Sequence, residues 1–201
     1  MMKSKSLFKF CTIGAAVFSL AACAGLQPAT TQQWSPQQES ADFNAEGRLA
    51  VRMDGKGSYA NFDWIQQKSV RTINVNTPLG NTLGQLCQDN NGVLAVGSDG
   101  RIYEAENASE LSRQLLGFSL PLQYLDVWAA GQWVAGTPHQ ILQDGRLQQF
   151  GWIISRQLNS DGQVRILQLE DQKLSLRLIF DYFDYTKSES APVQCEIRNR
   201  A

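Results

Sequence analysis

Residues 48–64 read R-L-A-V-R-M-D-G-K-G-S-Y-A-N-F-D-W. Apolar and polar residues alternate in both halves, which is the pattern of a β-strand with one buried face. The apolar positions that share this face are Leu49, Val51, Met53, Ala60, Phe62 and Trp64. Between the halves, Asp54-Gly55-Lys56-Gly57 favours the positive φ angles that a tight hairpin needs. The stretch therefore predicts two antiparallel strands joined by a turn.

The same alternation continues on both sides of this hairpin. Ile73 and Val75 alternate with asparagines, and every second residue from Leu174 to Phe180 is apolar. Further turn signals, each a glycine after aspartate or asparagine, are Asn91-Gly92, Asp99-Gly100, Asp144-Gly145 and Asp161-Gly162. Because such pairs join neighbouring strands through tight hairpins, we expect the chain to be mainly an antiparallel meander.

Two segments carry the signals of a helix start. Pro36 follows Ser35 and suits the first position of a helix, which would end at Phe43. Asn107 stands three residues before Glu110, the spacing of a capping box. The apolar stripe that follows, before a natural stop at Gly117, consists of Leu111, Leu115 and Leu116.

A further helix is expected to begin at Pro121 and to end at Gly131. Its apolar residues at helical spacing are Leu122, Leu125, Trp128 and Ala129. Short helices with one apolar stripe bury that stripe against another element. The residues thus predict a mainly β fold with some α-helix, in which helices cover one face of a curled antiparallel sheet. Such an arrangement leaves space for a ligand between sheet and helices.

The N-terminus has the pattern of a bacterial secretory signal. Three lysines lie within the first nine residues, and the apolar run that ends at Ala22 is too short to span a bilayer. Residues 20–23, L-A-A-C, resemble the lipobox of bacterial lipoproteins. That resemblance implies that residues 1–22 are removed and that Cys23 becomes an acylated first residue. The alternative is an ordinary signal peptide that happens to contain a cysteine.

Removal of the signal leaves 179 residues, enough for one domain with a substantial core. These carry 15 basic and 19 acidic residues, a net charge of −4, so no nucleic-acid partner is expected. Residues 23–33 are polar and small, and we expect a flexible tether there. We expect a monomeric domain over residues 34–185 and a polar tail over residues 186–201.

The sequence shows no convincing catalytic or metal-binding constellation. Its single histidine, His139, lies in a predicted loop, and no G-x-S-x-G nucleophile motif is present. Neither an enzyme activity nor a cofactor is therefore expected. The mature chain keeps two cysteines besides Cys23. A periplasmic location permits a disulfide between them, but Cys87 lies in an apolar run and Cys195 in a polar tail, so we expect two unpaired thiols.

The order of motifs along the chain resembles the LolB family of outer-membrane lipoprotein receptors. The motifs are F-N-A-E-G-R-L-A-V at 43–51, Y-A-N-F-D-W at 59–64, N-T-P-L-G-N-T at 76–82 and F-G-W at 150–152. Together with the lipobox they are fairly specific, and the resemblance runs from about Trp34 to Phe180. It implies an incompletely closed antiparallel β-barrel, a lid of short helices and a hydrophobic cavity between them.

The resemblance also implies a non-enzymatic function. The protein would accept lipoproteins from the periplasmic carrier LolA and insert them into the inner leaflet of the outer membrane, without nucleotide. The partners would be LolA, the acyl chains of the cargo and outer-membrane lipid. Cys23 would anchor the protein to the outer membrane on its periplasmic side. Ala24 agrees with this location, because it is not the aspartate that commonly retains lipoproteins in the inner membrane.

Two groups of residues take roles from the resemblance. The protruding loop that acts in membrane delivery matches Pro78, Leu79 and Gly80, with Leu79 at its apolar tip. The acyl cavity would be lined by Leu49, Val51, Phe62 and Trp64 from the sheet and by Leu111, Leu115, Leu125 and Trp128 from the lid.

Two other functions stay open from the residues alone. The first is a lipid-anchored structural or assembly-factor lipoprotein with a filled core and no acyl ligand. The second is a lipid-anchored hydrolase that would use His139 or a carboxylate pair. Binding of a hydrophobic ligand distinguishes the receptor from the scaffold, since a filled core binds such a ligand no better than an ordinary globular protein.

Overall fold

The computed structural model describes residues 33–187 and 192–200. The predicted signal peptide, the predicted acylation site Cys23 and the predicted tether up to residue 32 lie outside the described residues. None of the helices in the described part of the chain is long and apolar enough to cross a membrane.

An open antiparallel sheet of eleven strands forms the body of the described part of the chain. Its strands are β2 (Phe43–Met53), β3 (Lys56–Gln67), β4 (Val70–Asn76), β5 (Thr82–Asp89), β6 (Gly92–Gly97), β7 (Ile102–Ala105), β9 (His139–Ile141), β10 (Leu147–Gln149), β11 (Trp152–Leu158), β12 (Val164–Glu170) and β13 (Leu174–Tyr185). Across the sheet they follow the order β7-β6-β5-β4-β3-β2-β13-β12-β11-β10-β9. The edge strands β7 and β9 do not pair with each other. The predicted antiparallel meander and the incompletely closed barrel are both confirmed.

The hairpin of residues 48–64 forms as predicted. Leu49 pairs with Ala60 and Gly47 with Phe62 in the β2–β3 ladder, and Asp54 and Gly55 both have positive φ. The apolar faces of the two strands point to one side of the sheet, where Phe62 and Trp64 are buried. That side holds the central core, in which alternate residues of β11, β12 and β13 also pack. The periodicity of two therefore specified the buried face correctly.

Short helices cover this face. Helix α1 (Ala108–Leu116) begins after Asn107, whose side chain accepts a hydrogen bond from the Glu110 N–H, and ends at Gly117 with φ of 79°. The predicted capping and stop are thus confirmed. The second helix is interrupted: a 3-10 turn at Leu122–Tyr124 precedes α2 (Leu125–Ala129). The break falls at Tyr124, whose backbone has φ of −112° and ψ of 0°, outside the helical range.

The helix predicted from Pro36 to Phe43 is wrong. Strand β1 (Ser35–Pro36) instead pairs in parallel with β8 (Gln132–Trp133), just after α2. Extended backbone lets the Ser35 N–H reach the Gly131 carbonyl at 3.0 Å and buries Trp34, which donates from Nε1 to the Gly145 carbonyl at 2.9 Å. These long-range contacts override the local preference of proline for a helix start.

The prediction of two unpaired thiols is also wrong. Cys87 and Cys195 form a disulfide, with 5.9 Å between their Cα atoms and a sequence separation of 108. Residue 195 precedes a 3-10 turn, Glu196–Arg200, that packs on the outer face of the sheet. At least this part of the predicted polar tail is therefore fixed to the domain. No local pattern could indicate the pairing, because the chain segments meet only through the fold.

Candidate functional site

The β4–β5 connection presents one fully exposed leucine. The Gly80 N–H donates to the Thr77 carbonyl at 2.9 Å, which closes a β-turn with Pro78 and Leu79 at its centre. The Asn81 N–H adds a bond to the Thr77 Oγ1 at 3.1 Å. Leu79 is 90% exposed at the tip of this turn. An ordered turn that holds a large apolar side chain in solvent forgoes the burial that would stabilise it by about 1.5–3 kcal/mol.

An apolar pocket opens beside this turn. It has a volume of about 290 Å³ and lies between the inner face of β4–β7 and helix α1. Val75, the next-to-last residue of β4, and Leu83, near the start of β5, both line it, so the pocket wall continues into the Leu79 turn. The other apolar residues around it are Leu86, Ala95, Val96, Tyr103, Leu111, Leu115 and Leu122. Leu115 is 41% exposed and stands at the mouth.

A second pocket of about 440 Å³ lies at the end of the β2–β3 hairpin. Its apolar residues are Val51 and Met53 from β2 and Phe118 from the connection after α1, and Lys56 and Ser58 add polar groups. Open apolar space therefore exists at two places under or beside the helices.

The predicted cavity residues divide into two sets. Leu111, Leu115 and Val51 line the two pockets. Phe62, Trp64, Leu125 and Trp128 instead fill the central core, each at most 3% exposed, and Leu49 packs against that core. Their predicted role as lining of an acyl cavity stays a prediction. The apolar pocket-lining residues that the sequence analysis did not single out as cavity lining are Val75, Leu83, Leu86, Ala95, Val96, Tyr103 and Leu122 in the first pocket and Met53 and Phe118 in the second. Alternation placed Val75 on the apolar face, but core and cavity share that pattern.

A buried ion pair joins the lid to the sheet. Arg71 on β4 lies 2.6 Å from the Asp126 carboxylate on α2, and both side chains are at most 10% exposed. The Arg71 guanidinium also donates to the Gln123 carbonyl at 2.9 Å and to Gln66 Oε1 at 2.8 Å. Burial lowers the pKa of Arg71, and the neighbouring Asp126 opposes that effect. The group stays charged, because arginine is not deprotonated in proteins.

The opposite side of the lid is held by an amide and by aromatic rings. Trp128 on α2 donates from Nε1 to Gln149 Oε1 at 3.0 Å. Tyr124 stacks on Phe150 in the β10–β11 turn, with ring centroids 4.7 Å apart and planes 9° apart. Phe150 has φ of 52°, an uncommon value for a bulky residue. The lid therefore bridges β4 and β10 across the concave face.

The described residues contain no group of three or more histidine, cysteine, aspartate or glutamate side chains that could hold a metal ion. His139 is exposed and stacks on Trp133 with ring centroids 4.3 Å apart. The main features of the candidate site are thus an exposed leucine, two apolar pockets and a lid that is fastened by polar and aromatic contacts. Together they define a half-barrel protein with an apolar pocket beneath helices.

Comparison with known proteins gives the family. The family described as outer membrane lipoprotein LolB matches residues 41–182. Outer-membrane lipoprotein LolB of Neisseria meningitidis is 53% identical over 188 residues, 93% of this chain and 97% of the relative. That of Chromobacterium violaceum is 34% identical over 143 residues, 69% of this chain and 78% of the relative. The chain belongs to the LolB family.

A solved structure of a LolA superfamily protein from Nitrosomonas europaea resembles the chain with a TM-score of 0.41 and 5% identity. The likeness covers 76% of this chain and 89% of that one.

Proposed function

We propose that this protein is an outer-membrane lipoprotein receptor, which accepts lipoproteins from the periplasmic carrier LolA and inserts them into the inner leaflet of the outer membrane. The observation that carries the proposal is the position of Leu79. It is 90% exposed on an ordered turn, and the strands on both sides of that turn line an apolar pocket. Membership of the LolB family supports the same function.

The physical task is to move acyl chains without exposing them to water. Each methylene group that leaves an apolar environment for water costs about 0.8 kcal/mol. An apolar pocket offsets that cost, and direct passage from the carrier to the pocket avoids the aqueous state. Directional transfer then requires only that the receptor binds the chains more tightly than the carrier does and that the membrane binds them more tightly still. Nucleotide hydrolysis is not needed.

In this proposal the residues have different roles. The pocket residues Leu111 and Leu115 contact acyl chains from the lid side, and Val51 contacts them at the second pocket. Leu79, held between Pro78 and Gly80, enters the lipid surface and guides the chains out. Cys23 carries the acyl anchor that keeps the domain at the periplasmic side of the outer membrane. The scaffold alternative gains no support from the family.

The test replaces Leu79 with a charge. Leu79→Glu places a carboxylate where the proposal requires contact with hydrocarbon, so delivery of a lipoprotein from the receptor to phospholipid vesicles is expected to fall at least tenfold. Acceptance from LolA is expected to persist, because the pocket is unchanged. Separation of vesicle-bound from soluble cargo measures delivery, and separation of the receptor from LolA by an affinity tag measures acceptance.

Val193→Glu is the matched control, because Val193 is also an aliphatic residue exposed in solvent, at 85%, and lines neither apolar pocket. Its delivery rate is expected to equal that of the wild type. A folded Leu79→Glu variant with full delivery would contradict the proposed role of the loop.

A further inference from the structure

Residues 195–198, here called the C-terminal clamp, are fastened to the outer face of the sheet. Cys195 is bonded to Cys87 on β5. The Asp89 carboxylate accepts hydrogen bonds from the Cys195 N–H at 2.8 Å and from the Arg198 guanidinium at 2.8 and 2.9 Å. The Asp89 side chain is completely buried in these contacts. A covalent bond and a charged hydrogen-bond network therefore act on the same few residues.

The clamp contacts three neighbouring strands in one row. Register places Cys87 opposite Leu94, and Leu94 opposite Glu104. Cys87 carries the disulfide, Leu94 packs in a buried cluster with Cys195 and Ile197, and Glu104 pairs with Arg198. The clamp thus spans β5, β6 and β7 from outside.

The next row along the same strands is part of the wall of the apolar pocket. This inner row, also in register, consists of Leu86, Ala95 and Tyr103. Because successive side chains of a strand point to opposite faces, each clamp contact lies one residue from a pocket-lining residue. A displacement of the outer residues Cys87, Leu94 and Glu104 therefore moves the inner row as well.

This wall needs support because it ends the sheet. Strand β7 has four residues, and within the described residues it pairs only with β6 and the sheet does not close beyond it. Short edge strands with one partner have few hydrogen bonds to resist local opening. The ionic part of the clamp is strong at neutral pH. Burial alone would raise the pKa of Asp89, but Arg198 and the N–H groups of Cys195 and Asn91 outweigh burial and lower it.

We propose that the C-terminal clamp holds the pocket wall in shape from outside, so that Cys87, Cys195 and Arg198 are positioning residues for acyl binding. The proposal rests on the proposed function, since it assigns the pocket between β4–β7 and α1 to acyl chains. With this role, the clamp makes acyl binding sensitive to reduction of the Cys87–Cys195 disulfide, which lies on the opposite face of the sheet from the pocket.

The redox step is ordinary thiol–disulfide exchange. Added dithiothreitol, a dithiol, attacks the Cys87–Cys195 bond, which breaks and takes up two electrons and two protons. The product is two protein thiols and the cyclic disulfide of the reagent. After this step the clamp is held by the ion pairs of Arg198, the Cys195 N–H bond to Asp89 and the packing of Ile197, and the wall is expected to open more often.

The experiment compares the oxidised full protein with the same protein reduced by dithiothreitol. Amide hydrogen exchange of β5–β7 is expected to become at least tenfold faster on reduction, while exchange in β11 and β12 is unchanged. The affinity for a fatty acid that carries an environment-sensitive fluorophore is expected to fall at least fivefold. Reduction of folded protein avoids any failure of a cysteine variant to fold.

A matched pair of arginine variants tests the ionic part without redox chemistry. Arg198→Ala removes the partner of Asp89 and is expected to weaken probe binding at least threefold. Arg48→Ala is the control, because Arg48 makes a similar two-bond contact with Asp181 on the outer face of β2 and β13, away from the pocket. Its probe affinity is expected to be that of the wild type.

The outcomes separate this inference from the proposed function. An oxidised protein that binds the probe, with no change in exchange or affinity on reduction, would overturn the clamp and leave the receptor function intact. Faster exchange with unchanged affinity would overturn the coupling between clamp and pocket. If the oxidised protein does not bind the probe at all, the proposed function fails, and the positioning role fails with it.

Discussion

Gly47 shows how one residue fixes the contact between β2 and its neighbours. An ideal Cβ at this position would lie 2.0 Å from the Ile179 carbonyl oxygen and 3.0 Å from the Phe62 ring. The β13–β2 ladder changes register between Phe180 and Tyr182, next to this point. Glycine in a strand marks a close approach of another backbone, and the irregularity of β13 supplies that approach here.

Replacement of Gly47 tests this requirement. Gly47→Ala forces β13 or Phe62 to move, and we expect it to lower the free energy of unfolding by about 1–3 kcal/mol, the usual cost of overpacking. Gly57→Ala is the control on the adjacent strand, because its Cβ would have no neighbour closer than 3.9 Å. Urea denaturation of both variants measures the difference. Equal stability of Gly47→Ala and wild type would show that β13 does not approach Gly47 closely in solution.

At the scale of elements, the lid is the part whose attachment matters for the proposed function. Arg71 and Asp126 join α2 to β4 inside the protein, whereas Arg48 and Asp181 form an exposed pair on the outer face. Removing one partner of a buried pair leaves the other charge buried without compensation. An exposed pair has no such consequence, because water solvates the charge that remains.

Asp126→Ala is therefore expected to destabilise the protein by about 3–5 kcal/mol. Asp181→Ala is expected to have a much smaller effect, although it removes contacts with two arginines, Arg48 and Arg165. Thermal and urea unfolding of both variants provide the measurement. If Asp126→Ala lowers the free energy of unfolding no more than Asp181→Ala does, the buried pair does not fasten the lid.

Elements were predictable where local chemistry determines them. Asn107 and Gly117 delimit α1 because caps act through the nearest backbone groups. The segment after Ser35 was not predictable, since its extended form depends on Gly131 and Trp133, almost one hundred residues away. The Cys87–Cys195 bond escaped prediction for the same reason. Interactions that only the fold creates leave no signal in neighbouring residues.

At the scale of the whole molecule, alternation was sufficient to predict an open antiparallel sheet with one apolar face. It could not separate filled core from open pocket, because both require apolar residues on that face. Phe62 and Val75 share the pattern, yet Phe62 fills the core and Val75 lines the pocket. The difference depends on how far the helices reach over each strand, which is a property of the complete fold.

The whole molecule combines a pocket, an exposed apolar loop and a lid that is fastened on two sides. Each part suits a protein that receives acyl chains from one partner and releases them to a membrane. The two strands that the Leu79 turn connects, β4 and β5, both contribute residues to the pocket wall. We propose that this arrangement transfers lipoproteins by differences in affinity alone.

The most direct test mixes the purified protein with LolA that carries a lipoprotein, without nucleotide and with phospholipid vesicles, and follows the position of the cargo. We expect the lipoprotein to leave LolA, to bind to this protein and then to accumulate in the vesicles. Carrier and vesicles alone form the control and are expected to retain the cargo on LolA. Cargo that stays on LolA in the presence of folded protein would contradict the proposed transfer.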